Sequence, residues 1–195
     1  MTHADAALQP PMKWNAWGDP QAAKPLSDGI KTLLKQALGV DGPATPDLEI
    51  TEVRVRPSTL GDSDREALEA IVGAQFCRTD DDSRLRRAGG KSTPDLLRRK
   101  DTGVQDAPDA VLLPAGEDDI ADVLRVCSQR RIAVVPFGGG TTVVGGVDPE
   151  RGEFAAVISL DLRRLDALHG LDTVSGEAEL GAGVTGPRAE ELLGA

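Results

Sequence analysis

No tyrosine occurs in this sequence, and its aromatic side chains are three phenylalanines and two tryptophans among 195 residues. A mechanism that needs a tyrosine hydroxyl is therefore not completed by these residues. Cysteine is as scarce: Cys77 and Cys127 fall outside any CxxC or Cys/His ligand spacing and read as two buried thiols. Histidine appears only as His3 and His169, so neither a histidine-based triad nor a histidine metal cluster can be assembled, and no metal site is expected. Basic residues are outnumbered 22 to 32, giving a net charge of −10. A phosphate-tracking surface needs clustered lysine and arginine, so nucleic acid and anionic membranes are excluded as partners. Long apolar runs are missing too. The start, "MTHADAALQPP", lacks the apolar stretch of a signal peptide, and no run approaches the roughly 20 residues of a transmembrane segment. Together these absences predict a soluble protein of a reducing cytoplasm.

What is present falls into two regions. Residues 1–24 read as an irregular arm carrying "MKWNAWGDP", whose Trp14 and Trp17 would pin it to the surface with two large rings. Ser27 is placed to cap a helix through Leu38, with Ile30, Leu33, Leu34, Ala37 and Leu38 on one face and Gly39 at its stop. Residues 48–55 suggest an extended segment. Ser63 with Glu66 fits a capping box for a helix over 63–73. The polar stretch from Thr79 to Asp106 reads as a loop with one short helix after Pro94. Its basic run, Arg84, Arg86, Arg87 and Lys91, reads as a solvated face, with binding of an anionic substrate such as a phosphate ester as the alternative.

From Ala107 the pattern becomes regular. A strand over 109–114 leads to an amphipathic helix over 116–131, acidic at its start and arginine-rich at its end, as the helix dipole favours. A strand over 132–136, another over 155–162, a turn region over 163–170, a short strand within 175–186 and a helix opened by Pro187 follow. The expected class is α+β, with an N-terminal arm and helical region over 1–106 and an α/β region over 107–195.

Residues 134–147, "VVPFGGGTTVVGGV", place five glycines directly after an apolar strand. Glycines there let the backbone approach a partner closely or adopt positive φ, and successive N–H groups in such a turn can converge on an anion. Threonine hydroxyls add neutral donors. A tight hairpin without a ligand is the alternative. A Walker A loop is ruled out because Gly146 and Val147 occupy its Lys and Ser/Thr positions. A Rossmann fingerprint fails because Val143 fills its third glycine.

The order "DAVLLP", acidic-start helix, "RIAVVPFGGGTTVVGGV", "AAVISLDLRRL" and "AELGAGVTG" resembles the FAD-binding domain of the vanillyl-alcohol oxidase, or p-cresol methylhydroxylase, type. Upstream, "MKWNAWGD" and "GKSTPDLLRR" resemble the alkyldihydroxyacetonephosphate synthase branch. The resemblance implies the first α/β half of that domain, truncated at its C-terminus. It implies FAD as cofactor. Because covalent members of the family often link the flavin through a histidine, and none stands near residues 134–147, the FAD is expected to be held non-covalently. Pro136, Phe137, Gly138, Gly139, Gly140, Thr141 and Thr142 form the pyrophosphate loop, and Gly145 and Gly146 shape its exit. Gly181 and Gly183 fall in a structural turn of the family. The family's catalytic residues would lie beyond residue 195, so none is assigned. The implied parent is a flavoenzyme acting on a small-molecule substrate, with a homodimer as an option when complete. Its reaction is either acyl-for-alkyl exchange on a phosphate ester or oxidation of a hydroxy acid or alcohol. The alternative is a non-catalytic, truncated or split-gene FAD-binding module.

Overall fold

The computed structural model describes residues 12–40, 42, 48–101 and 103–194; His3 lies outside them. Ser27 caps α1 (Asp28–Leu38) by accepting from the Ile30 N–H, and Gly39 ends it in the left-handed conformation at φ 66°. The apolar face expected of this helix is present but uncovered, with Ile30, Leu33 and Leu38 exposed. The extended segment expected over 48–55 is instead a 3-10 turn, Ile50–Glu52, followed by β1 (Arg54–Val55). The Glu52 carboxylate closes that turn by accepting from the Glu49 N–H at 3.2 Å. The second helix, α2 (Asp62–Val72), starts at a Gly61 cap that makes no side-chain bond, so the expected Ser63–Glu66 box does not form. Ser63 lies inside the first turn, where its carbonyl and hydroxyl accept from Arg130 beside Asp64.

After β2 (Cys77–Arg78), the segment read as a loop with one short helix contains two. Asp80 caps α3 (Asp81–Leu85), and Ser92 and Asp95 form a reciprocal box at the start of α4 (Thr93–Arg98). β3 (Val104–Gln105) pairs in parallel with β1. β4 (Ala110–Leu112), α5 (Glu117–Arg130) and β5 (Ile132–Phe137) form a strand–helix–strand unit. Glu117, Asp118 and Asp119 in the first turn of α5 and Arg130 in its last match the dipole. β6 (Ala156–Asp161), β7 (Leu168–Asp172), β8 (Glu177–Leu180) and α6 (Gly186–Leu193) follow. The turn region expected over 163–170 therefore gives way to a hairpin strand, and His169 is an exposed residue of β7.

The main sheet runs β2-β4-β6-β5, with β2 antiparallel to β4 and the other pairs parallel. β4 and β6 are buried along their whole length, and an inner strand covered on both faces reads as a continuous apolar run. On one face Ala110, Leu112, Ala156, Ile158 and Leu160 pack with Leu68 and Val72 of α2 and Val123 and Cys127 of α5. Full burial of each large aliphatic side chain here stabilises the fold by roughly 1.5–3 kcal/mol. On the other face Val111, Leu113 and Val157 are buried, and α3 lies against β4. Pro136 is tolerated in β5 because that strand is a sheet edge, where a missing ladder donor costs little.

Both cysteines are free and buried, and burial pushes each thiol up to about 11. A thiol there is inert because the thiolate is the reactive form. Neither Cys77 nor Cys127 should react with a disulfide reagent in the native protein at pH 8, and both should react after unfolding. Titration by released chromophore checks this. Rapid modification of either thiol without denaturant would mean that the packing of α2 and α5 on the sheet is wrong.

Candidate functional site

β5 brings its last two residues, Pro136 and Phe137, to the edge of the sheet, and the glycines begin one residue later. Gly138, Gly139 and Thr141 are exposed, Gly140 is buried and Thr142 is half-buried. Among the described residues, the N–H groups of Gly138, Gly139, Gly140, Thr141 and Thr142 donate to no other protein group. Nothing lies within 4 Å of the point where a Gly138 side chain would begin, and Gly139 meets only the Thr141 methyl at 3.8 Å. The backbone of this stretch is open to approach and carries a run of unpaired donors. Such a run suits an anion with several acceptor oxygens.

Gly140 differs from its neighbours. Its φ is +65°, and a Cβ there would collide with the Phe137 ring. Phe137 is buried, so its ring is the floor of the loop and its side chain faces the core. Gly145 also has positive φ, at 77°. Its carbonyl accepts from the Asp148 N–H at 3.1 Å, which turns the chain away after the exposed Val143 and Val144. Gly146 is exposed beside it.

The basic run is not a solvated face. Arg84, Arg87 and Lys91 are only 3%, 2% and 7% exposed. The reason is that each has acceptors inside the fold. Arg84 donates to the Pro108 and Arg56 carbonyls, both at 2.7 Å, and pairs with Asp81. Arg86 grips Asp82 with two bonds of 3.0 Å. Arg87 pairs with Asp161 at 2.8 Å, the two side chains being 1% and 0% exposed. Burial lowers the Arg87 guanidinium to about 10, and Asp161 opposes that shift; it remains a cation at neutral pH. Arg163 reaches the same carboxylate at 2.9 Å, and the Arg87 guanidinium lies 6.0 Å from the Phe137 ring centre. The last residue of β6 thus anchors the underside of the loop.

Lys91 has another kind of partner. Its ammonium donates to the carbonyls of Lys13, Trp14 and Ala16 at 2.6, 3.3 and 2.9 Å. Burial, with Arg99 and Arg86 nearby, lowers it to about 8, while the three carbonyl dipoles favour the charge. The Lys91 N–H donates to the Thr142 carbonyl at 2.8 Å. Gly90 makes that approach possible, since a Cβ on it would collide with the same oxygen. Of the two tryptophans, Trp14 is buried and Trp17 is 64% exposed, so only one ring pins the arm by packing. Trp17 acts through its indole N–H, which donates to the Lys91 carbonyl at 2.8 Å.

A cavity of about 510 Å³ opens beyond Gly89, lined in part by Arg98, Arg99, Asp148 and Arg151. Its charges are largely internal pairs, Arg98 with Asp148 at 3.4 Å and Arg151 with Asp109 at 3.0 Å. Gly181 and Gly183 are structural: a Cβ on either would collide with the Leu165 or Leu162 carbonyl. Among the described residues there is no cluster of metal-ligating side chains and no helix long and apolar enough to cross a membrane. The glycines of the loop are visible in the sequence. Nothing in the sequence pattern marks Gly90 and Lys91, which touch the loop, or Arg99 and Asp161, which brace their surroundings, as its supports.

Comparison with known proteins places this geometry among relatives. The FAD binding domain family matches residues 108–195. Protein Rv2250A of Mycobacterium tuberculosis is 63% identical over 116 residues, 60% of this chain and 77% of that protein. The alkyldihydroxyacetonephosphate synthase of Trypanosoma brucei brucei is 33% identical over 204 residues, 93% of this chain and 33% of the synthase. A solved alkyldihydroxyacetonephosphate synthase superposes with a TM-score of 0.82 at 25% identity, over 94% of this chain and 38% of that one. p-Cresol methylhydroxylase shares the fold at a TM-score of 0.54 and 15% identity, over 67% of this chain and 24% of that one. The chain thus spans about a third of the length of the synthases it matches.

The glycines of the loop are expected to differ in stability cost. Gly140→Ala should destabilise the protein by about 1–3 kcal/mol, through its left-handed backbone and the clash with Phe137. Gly138→Ala should cost less than about 1 kcal/mol. Denaturant unfolding of both variants checks the contrast, and equal costs would contradict the geometry.

Proposed function

Because the chain belongs to the FAD-binding-domain family and is homologous to the alkyldihydroxyacetonephosphate synthases, we propose that its glycine loop holds the FAD pyrophosphate. The residues concerned are Pro136, Phe137, Gly138, Gly139, Gly140, Thr141 and Thr142, with Gly145 and Gly146 at the exit. The observation that carries this reading is that the N–H groups from Gly138 to Thr142 donate to no protein group among the described residues, with the backbone open at Gly138 and Gly139. Phosphate oxygens accept from several such donors at once, and the exposed threonine hydroxyl of Thr141 adds another. Phe137 and Pro136 contribute position: Phe137 ends the edge strand from which the loop departs and lies beneath it, and Pro136 precedes it in that strand.

Bound flavin would supply the redox or adduct chemistry, and this chain's residues would supply binding and orientation. The parent activity favoured is that of the alkyldihydroxyacetonephosphate synthase type. The likeness to those enzymes extends over 93% of the chain, including the segments upstream of residue 108, whereas the likeness to the glycolate oxidase subunit GlcD of Bacillus subtilis covers 25%. Attachment of FAD to this chain is read as non-covalent. His169 is exposed in the β7–β8 hairpin, away from the loop in sequence, and both thiols are buried in the core. Those free thiols also support a reducing, cytoplasmic setting.

Gly139→Val is the discriminating variant. The position has room for a side chain and no positive φ, so the fold should keep its unfolding midpoint. The branched side chain would nonetheless fill the space through which a pyrophosphate reaches the amides. FAD titration followed by flavin fluorescence should give saturable binding to the unaltered protein and at least a tenfold weaker dissociation constant for the variant. Unchanged affinity in Gly139→Val, or no saturable binding by the unaltered protein, would reject the assignment.

A further inference from the structure

Lys91 stands between two parts of the molecule that are far apart in sequence. On one side its own N–H holds the Thr142 carbonyl at the end of the glycine run, at 2.8 Å. On the other its ammonium is clasped by the carbonyls of Lys13, Trp14 and Ala16, and its carbonyl accepts from the Trp17 indole. An ammonium has three donors, and here all three are met by one short loop of the arm. Arg99 reinforces the clasp by donating to the Trp14 carbonyl and, at 2.6 Å, to the Gly89 carbonyl. The arm so held reaches the loop itself: Met12 and Trp14 line a narrow gap with Gly139 and Gly140.

The charge of Lys91 is also unbalanced in a specific way. Its partners are backbone dipoles, and no carboxylate pairs with it among the described residues. Arg84, Arg86 and Arg87 of the same segment each have an acid. A buried cation whose hydrogen-bond partners are all backbone dipoles, which has Arg86 and Arg99 nearby and itself lines one gap with Gly139 and Gly140, favours an anion at the loop.

We propose that Lys91 is a positioning residue of the cofactor loop, which locks the arm at residues 12–17 against the loop so that arm and loop bind FAD as one unit. The proposal rests on the reading of the loop as the FAD pyrophosphate site. It makes the arm part of the cofactor site, and it makes arm docking and FAD binding reciprocal, since two coupled equilibria must strengthen each other by the same factor.

The test uses the two tryptophans, both in the arm, in a protein without tyrosine. Intrinsic fluorescence therefore reports arm docking without interference. In Lys91→Met, emission should shift to the red, acrylamide quenching should rise, and FAD affinity should fall at least about tenfold, as expected for loss of charge-assisted hydrogen bonds. Trp17→Phe alters an exposed ring and removes only the bond to the Lys91 carbonyl. It should weaken FAD binding less, in the same direction, and it decides the matter if Lys91→Met fails to fold. In the unaltered protein, FAD should protect the arm from trypsin. An arm released in Lys91→Met with FAD affinity unchanged would overturn the coupling and leave the loop assignment standing. Unchanged tryptophan emission in that variant would overturn the clasp. A protein that binds no FAD while its arm stays docked would reject the loop assignment, and the coupling with it.

Discussion

A run of backbone donors without protein partners is not held by its own N–H groups, and much of the architecture around residues 138–142 answers that constraint. Ordinary loops gain order by turning N–H groups inward onto carbonyls. Here the N–H groups find no acceptor among the described residues, so order comes from other atoms. The Phe137 ring lies beneath Gly140 and leaves no room for a side chain there. The Leu162 N–H takes the Phe137 carbonyl at 3.0 Å, extending the β5–β6 ladder to the edge of the loop. At the far end the Thr142 carbonyl is taken by Lys91. The loop is thus fixed by a ring and by its carbonyls while its donors remain available.

The supports in turn need support, and this explains why so many charged groups are buried in one segment. Arg87 could not lie beside Phe137 without Asp161, because an unpaired guanidinium inside the fold would cost several kcal/mol. Asp161 sits at the end of β6, fully buried, and accepts from Arg87 and Arg163 together. Asp109 does a similar task one residue before β4. It accepts from the Thr59 and Val157 N–H groups, both at 2.7 Å, and pairs with Arg151. Each of these carboxylates joins the parallel strands to a flanking loop, so the sheet edge and the glycine loop share one polar frame. These pairs fix geometry more than they add stability, since the desolvation of both partners offsets most of their attraction.

Much of the α/β half was legible from its residues, and the reasons are physical. Strands β4 and β6 are buried on both faces, and so β4 is apolar throughout and β6 is apolar except at Ser159 and the terminal Asp161. Helix α5 advertises its ends through acidic and basic turns, and the glycine loop through residues that only a special backbone requires. The short elements were harder. A two-residue strand such as β1 has no periodicity to read, and α3 is a single turn and a half recognisable only from its Asp80 cap. The Ser63–Glu66 spacing suited a capping box, yet the helix began one residue earlier and Ser63 went to Arg130 instead. The arginine run misleads for a deeper reason. A charged side chain looks solvent-seeking until its partner is known, and beside the nearby Asp81 and Asp82 the partners here are backbone carbonyls, which no composition reveals, and an aspartate 74 residues away.

This last point bears on where the function of the chain resides. The family match begins at residue 108, but Gly89, Gly90, Lys91 and Arg99, which tie the loop to the arm, all precede it. Gly90 has no room for any side chain because the Thr142 carbonyl occupies that space, so its identity is tied to a loop that it does not resemble. The likeness to the synthases runs through this upstream stretch as well, over 93% of the chain. A minimal phosphate loop needs only glycines on the end of a strand. A loop with a buried lysine and a tryptophan-bearing arm behind it has, in addition, a fixed distance between its amides and a second segment of chain.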